Sequence, residues 1–79
     1  MALFGRDRGR FEVDQIQAIS HPVRLRILEL FTRDTSRSLA AVDLRVALVS
    51  EDAAAFEKYG VGQVLYHRAR LQDAHLLPT

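Results

Sequence analysis

The sequence predicts an all-α domain, a bundle of four to five helices, and three observations predict it. Apolar residues recur every three to four positions along most of the chain, the period of a helix resting one face on a core. Helix punctuation falls between these runs: Ser20 and His21 ahead of Pro22, Ser50 ahead of Glu51 and Asp52, and an isolated Gly60. No alternating stretch reaches convincing strand length. Seventy-nine residues leave room for one core, which buries roughly 60–65% of the unfolded surface. Stability is correspondingly small.

The first ten residues alternate glycine, arginine and aspartate without periodicity and read as a flexible N-terminal arm; residues 11–79 make the folded domain. Phe11 to Ile19 places Val13, Ile16 and Ile19 at helical spacing and ends at Ser20. Ser20 or His21 caps the next helix, with Pro22 in the first turn, where a missing N–H costs nothing. Val23, Ile27, Leu30 and Phe31 form its stripe, and Leu25 and Leu28 widen it. A helix apolar over so much of its girth is central and packed on two sides. Arg24, Arg26 and Arg33 take what remains, and Asp34 to Ser38 is a connector.

Leu39 to Val49 reads as a third helix, with Val42, Val46 and Val49 facing one way and Leu44 and Leu48 adjacent. Ser50 opens a short extra helix, with Glu51 and Asp52 against the dipole, and Gly60 ends it. The final helix spans about Val61 to Ala74 or His75, after which LLPT trails off. Val61, Val64 and Leu71 form its docking stripe, while Gln63, Tyr66, Arg70 and Asp73 fall on the other side.

Composition narrows the function. No cysteine is present, so disulfide frames and thiolate metal sites are excluded. The start, MALFGRDRGRF, lacks the apolar core of a signal peptide, and no run approaches a membrane span. A soluble, cytoplasmic protein is expected. The three histidines, His21, His67 and His75, lack the spacing of a metal site, and Gly60 and Gly62 are not a phosphate loop. Catalysis, a resident metal and a cofactor are therefore not expected. Net charge is +1, yet ten of the eleven basic residues are arginine, whose planar fork suits phosphates and guanine edges. GC-rich codon usage accounts for the same bias.

A short helix, a connector, and then a helix showing glutamine, tyrosine, histidine and arginine outward is the order of a helix-turn-helix domain. An α-helix fits the major groove of duplex DNA, where arginine and glutamine read base edges. Gln63, Tyr66 and Arg70 are the expected base readers, and Gly62 lies beside them at the helix N-terminus. Arg24, Arg37 and Arg45 are the expected phosphate contacts.

ISHPVRLRILELF resembles the second helix of ArsR-type winged helix-turn-helix repressors, and VLYHRARLQDAHLL resembles their recognition helix. The likeness spans about Ile16 to Leu77. It implies a winged-helix-like domain in which Val64 and Leu71 are core. Gln63, Tyr66, His67 and Arg70 would then lie at the DNA face, with Ser38, Arg45, His21 and Arg24 near the phosphates. A transcriptional regulator acting as a homodimer on double-stranded DNA is what it implies, with half-sites roughly 34 Å apart. The sequence departs from the pattern at several places. Arg68 stands on the buried stripe, where it weakens docking. Leu65 replaces a small polar residue, and His75 replaces the glycine that ends the helix. Val49 to Tyr59 lengthens the turn, and the chain ends at Thr79, where the wing is due, so the wing is expected to be missing or truncated. Low net charge and Leu65 also fit an alternative: a helix-turn-helix fold used as a protein-interaction or dimerisation module.

Overall fold

The computed structural model describes residues 15–79. The expected N-terminal arm, Phe11 and Val13 lie outside the described residues. Residues 15–18 belong to helix α1; α2 is Pro22–Arg33, α3 is Ala41–Glu51, α4 is Ala53–Phe56 and α5 is Val61–Asp73. No strand occurs among the described residues. The domain is the all-helical bundle its periodicity predicts. Helix α5 packs on α2 and α3, which pack on each other, and α4 lies against α3. The core is Val23, Ile27 and Leu30 of α2, Leu44 and Leu48 of α3, and Val64 and Leu71 of α5. Truncating a buried leucine of this kind to alanine typically costs about 2–5 kcal/mol.

Helix α2 begins as expected. His21 is its N-cap, with Nδ1 accepting from the Val23 N–H at 3.2 Å, and Pro22 follows in the first turn. Leu28 and Phe31 are half-buried, but Leu25 is exposed. The two-sided burial expected of this helix is therefore narrowed to one broad face. On the preceding helix Ala18 is buried and Ile16 is exposed, so Ile16 does not share a core stripe with Ile19.

Helix α3 reverses the expected emphasis. Val42 and Val46 face outward, and Ala41, Leu44 and Leu48 make the core contact. The valines and leucines are not adjacent: two residues along a helix is about 200°, so they occupy opposite sides. Both sides are apolar, and periodicity alone cannot rank them. The larger leucines fill the gap between α2 and α5.

Asp52, not Ser50, starts the short helix. Its backbone N–H donates to Leu48 O and closes α3, while its Oδ1 accepts from the Ala55 N–H at 3.1 Å. One residue thus ends a helix and caps the next, turning the chain so that Phe56 enters the core. Glu51 at the end of α3 accepts from Arg33 at 2.9 Å and Arg26 at 3.1 Å. The two guanidiniums hold its carboxyl below the usual carboxylate range. Arg26 also lies over the Phe56 ring, 5.7 Å from its centroid.

Gly60 does not end α4, which closes at Glu57; it is the N-cap of α5 in extended conformation. At the other end, His75 takes the place of the absent glycine with φ 60°. Its N–H donates to Gln72 O at 3.0 Å, and the Leu76 N–H donates to Leu71 O at 2.9 Å. These are the two bonds of a Schellman turn, so the helix exit is the glycine type although histidine occupies it. The tail does not trail off: Leu77 is buried, and Gln72 Nε2 donates to Pro78 O at 2.9 Å.

Left-handed backbone costs an L-residue about 1–2 kcal/mol, and glycine pays part of that back in unfolded-state freedom. His75→Gly is expected to stabilise the fold by about 0.5–1 kcal/mol, read as a higher urea midpoint at unchanged slope. An unmoved or lower midpoint contradicts this account of the turn.

Candidate functional site

The sequence points to α5, and three devices position it. The first acts at its N-terminus, where the Gly60 N–H donates to Gln63 Oε1 at 3.0 Å and so satisfies a donor at the cap. The second is Arg45, reaching from α3 to the loop before α5: Nε donates to Tyr59 O at 2.7 Å and a terminal nitrogen donates to Glu57 O at 3.0 Å. The third is the inner stripe of Val64, His67 and Leu71, all buried. Val61, expected on that stripe, is 40% exposed.

His67 is not on the outward face. It is only 8% exposed, and its Nδ1 accepts from Arg24 Nε at 3.0 Å. The other end of the same guanidinium donates to Ala18 O at 3.1 Å, where a cation suits the negative end of a helix. The His67 ring centroid lies 4.2 Å from that of His21 with the two planes tilted by 31°, and Tyr59 meets both rings in T-shaped contacts. Burial, then the neighbouring His21 and Arg24, push the His67 imidazole down to about 4. Burial, then Arg24 and Lys58, lower His21 as well.

The expected phosphate contacts are largely engaged within the fold. Arg24 holds His67, Arg45 clamps the loop, and Ser38 Oγ donates to Asp43 Oδ2 at 2.6 Å while accepting from the Ala40 N–H. His67 is buried and Arg24 half-buried, and each satisfies the other. Arg37 is half-buried with its Nε unpartnered. Arg68 has one satisfied and one orphaned donor: its terminal nitrogen donates to Leu39 O at 3.1 Å, tying α5 to the approach to α3, while its Nε is buried without a partner among the described residues.

What faces outward is Gln63, Tyr66 and Arg70, with Gly62 and Leu65 beside them, all exposed. Tyr66 is 56% exposed and leans its ring over the edge of His67. Arg70 has no bonding partner among the described residues. A side chain at Gly62 would meet nothing within 4 Å, so packing does not demand glycine there. Two clefts, of about 500 Å³ beside Arg26 and Glu51 and about 370 Å³ beside Ile16 and Leu28, lie away from this face. No group of three candidate metal ligands is assembled among the described residues. No described helix is long and apolar enough to cross a membrane.

Comparison with protein-family models, curated proteins and solved structures finds no match to this chain. Sequence reasoning missed Tyr59 and the contact of His21 with His67. The only local signal was a pair of histidines placed at a cap and at a stripe edge; their meeting is a long-range event.

Charged hydrogen bonds contribute about 1.5–3 kcal/mol each when partly buried. Arg45→Met is therefore expected to destabilise the domain by roughly 2 kcal/mol and to speed amide exchange at Val61 to Val64. Unchanged exchange there would remove the clamp role.

Proposed function

We propose that the chain is a DNA-binding transcriptional regulator that lays the outward face of α5 in the major groove. The observation that carries this is the division of one helix. Val64, His67 and Leu71 are buried, which leaves Gln63, Tyr66 and Arg70 exposed within roughly 60° of arc. With Oε1 engaged at the cap, Gln63 offers its NH₂ donors, which match guanine O6 or N7. Arg70 offers a bidentate fork to the same edge, and Tyr66 offers a ring face and a hydroxyl. Gly62 lets the backbone approach closely. One helix buries little surface, so a homodimer reading two half-sites is the form that yields useful affinity.

A second reading, a protein-interaction module on the same scaffold, is favoured by Val61, Leu65 and Tyr66 as exposed apolar groups on α5. It gains from the internal engagement of Arg24, Arg26, Arg33, Arg45 and Arg68. Helix-turn-helix scaffolds serve both kinds of partner.

Few cations remain for phosphates, chiefly Arg37, Lys58 and Arg70 among the described residues. These described residues contribute about −2 to −3 per protomer to the slope of log affinity on log salt. Arg70→Ala is expected to cost about 1–3 kcal/mol and relax preference at one base pair. Arg45→Ala is expected to act through stability rather than through a lost phosphate contact, since Arg45 clamps the loop before α5. Amide shift mapping with duplex DNA distinguishes the readings: perturbation concentrated on Gly62 to Arg70 supports groove binding. A silent spectrum, with elution from heparin at low salt, gives the case to the protein-interaction module.

A further inference from the structure

Two histidines in contact, His67 buried and His21 half-buried, have a property that their hydrogen bonds define. Arg24 Nε and the Val23 backbone N–H can only donate. Each imidazole therefore accepts through Nδ1, His67 from Arg24 at 3.0 Å and His21 from Val23 at 3.2 Å. Neither ring can carry a proton on Nδ1 and keep its bond. Both must be neutral, with the proton on Nε2.

We propose that the His21–His67 pair, its rings in close contact, is an acid-released latch that holds α5 against the N-terminus of α2. Protonating His67 replaces an acceptor by a donor opposite the Arg24 guanidinium, so bond becomes repulsion. Protonating His21 removes the side-chain cap from α2. It also sets a cation 4.2 Å, ring to ring, from His67. Among the described residues, the charged groups that act on the pair from the elements around it are Arg24 on α2 and Lys58 in the loop before α5. Tyr59 in that loop and Tyr66 on α5 make T-shaped contacts with the pair. None of these offers a carboxylate to accept the new proton's charge. The latch operates whatever α5 contacts, and so goes beyond the reading of α5 as a DNA helix.

The direction follows from linkage. An unfolded histidine titrates near 6.5, whereas the folded chain holds His67 near 4 and His21 below its ordinary value. The unfolded chain therefore binds protons that the folded chain refuses. Stability is complete above about pH 6.5 and is lost as pH falls toward 4. His67 alone should lower the folding constant roughly thirtyfold between pH 7.5 and 5, and His21 adds to this. The lowered carboxyls, Glu51 and Asp34, lose their contribution at lower pH than the histidines, from about their unfolded values downward.

The test is urea unfolding of the intact chain at pH 7.5, 6 and 5, beside the double variant His21→Asn, His67→Gln. Asparagine caps helices well, and both amides present an acceptor that does not titrate. The wild type is expected to lose midpoint steadily on acidification while the double variant holds most of its value. An equal loss in both proteins overturns the latch. Should the double variant fail to fold, nitrogen-15 spectra of wild-type imidazoles decide: unprotonated Nδ1 on both rings at pH 7 and titration of His67 well below 6.5 support it. An Nδ1–H tautomer at His67, or titration at or above 6.5, overturns it.

Discussion

The Arg24 guanidinium joins three segments of this small domain. It reaches the last carbonyl of the α1 residues at Ala18 and the inward imidazole of α5 at His67, from a backbone position on α2. A half-buried guanidinium without such partners would impose a desolvation cost of several kcal/mol. Its two acceptors therefore must stay where they are. That requirement fixes the rotation of α5, since His67 can face Arg24 only if Val64 and Leu71 face the core. The outward display of Gln63, Tyr66 and Arg70 is the geometric remainder of that rotation.

The same economy appears elsewhere. A domain of this size has too little apolar area to hold its loops by packing alone, and arginines complete the work. Arg45 holds the loop before α5, Arg68 holds the approach to α3, and Arg26 and Arg33 close on Glu51. An arginine-rich composition that reads as a nucleic-acid signal is, in most of the described positions, a structural one. The fork that suits phosphate also suits backbone carbonyls and carboxylates, so composition cannot separate the two uses. Duplex binding by this chain would accordingly lean on a few side chains of α5 rather than on a broad basic surface.

Polar groups in the interior carry a condition with their stability. The histidine pair is satisfied only while neutral, and the described groups that act on it, Arg24 and Lys58, are cations that offer no compensating negative charge. A leucine at the position of His67 would dock α5 without Arg24's bond and without sensitivity to protons. With histidine there, the helix that carries the outward face is tied to the proton concentration of its surroundings.

Local physics settles a definite part of this protein. Helix periods, the cap before Pro22 and the absence of strand alternation determine an all-α bundle and the approximate place of each helix. The 3.6-residue period also determines that Val64 and Leu71 point one way and Tyr66 and Arg70 another. Tertiary structure decided the rest, for reasons that no local pattern holds. Helix α3 is apolar on both sides, and only the shape of the gap between α2 and α5 selected its leucines over its valines. Gly60 and Asp52 suit either a helix start or a stop, and the direction of the neighbouring chain chose. His67 lies at a stripe edge, and its burial depended on meeting Arg24 and His21, more than forty positions away in the sequence. Periodicity acts over one or two turns, whereas pairing of buried polar groups is set by contacts between helices.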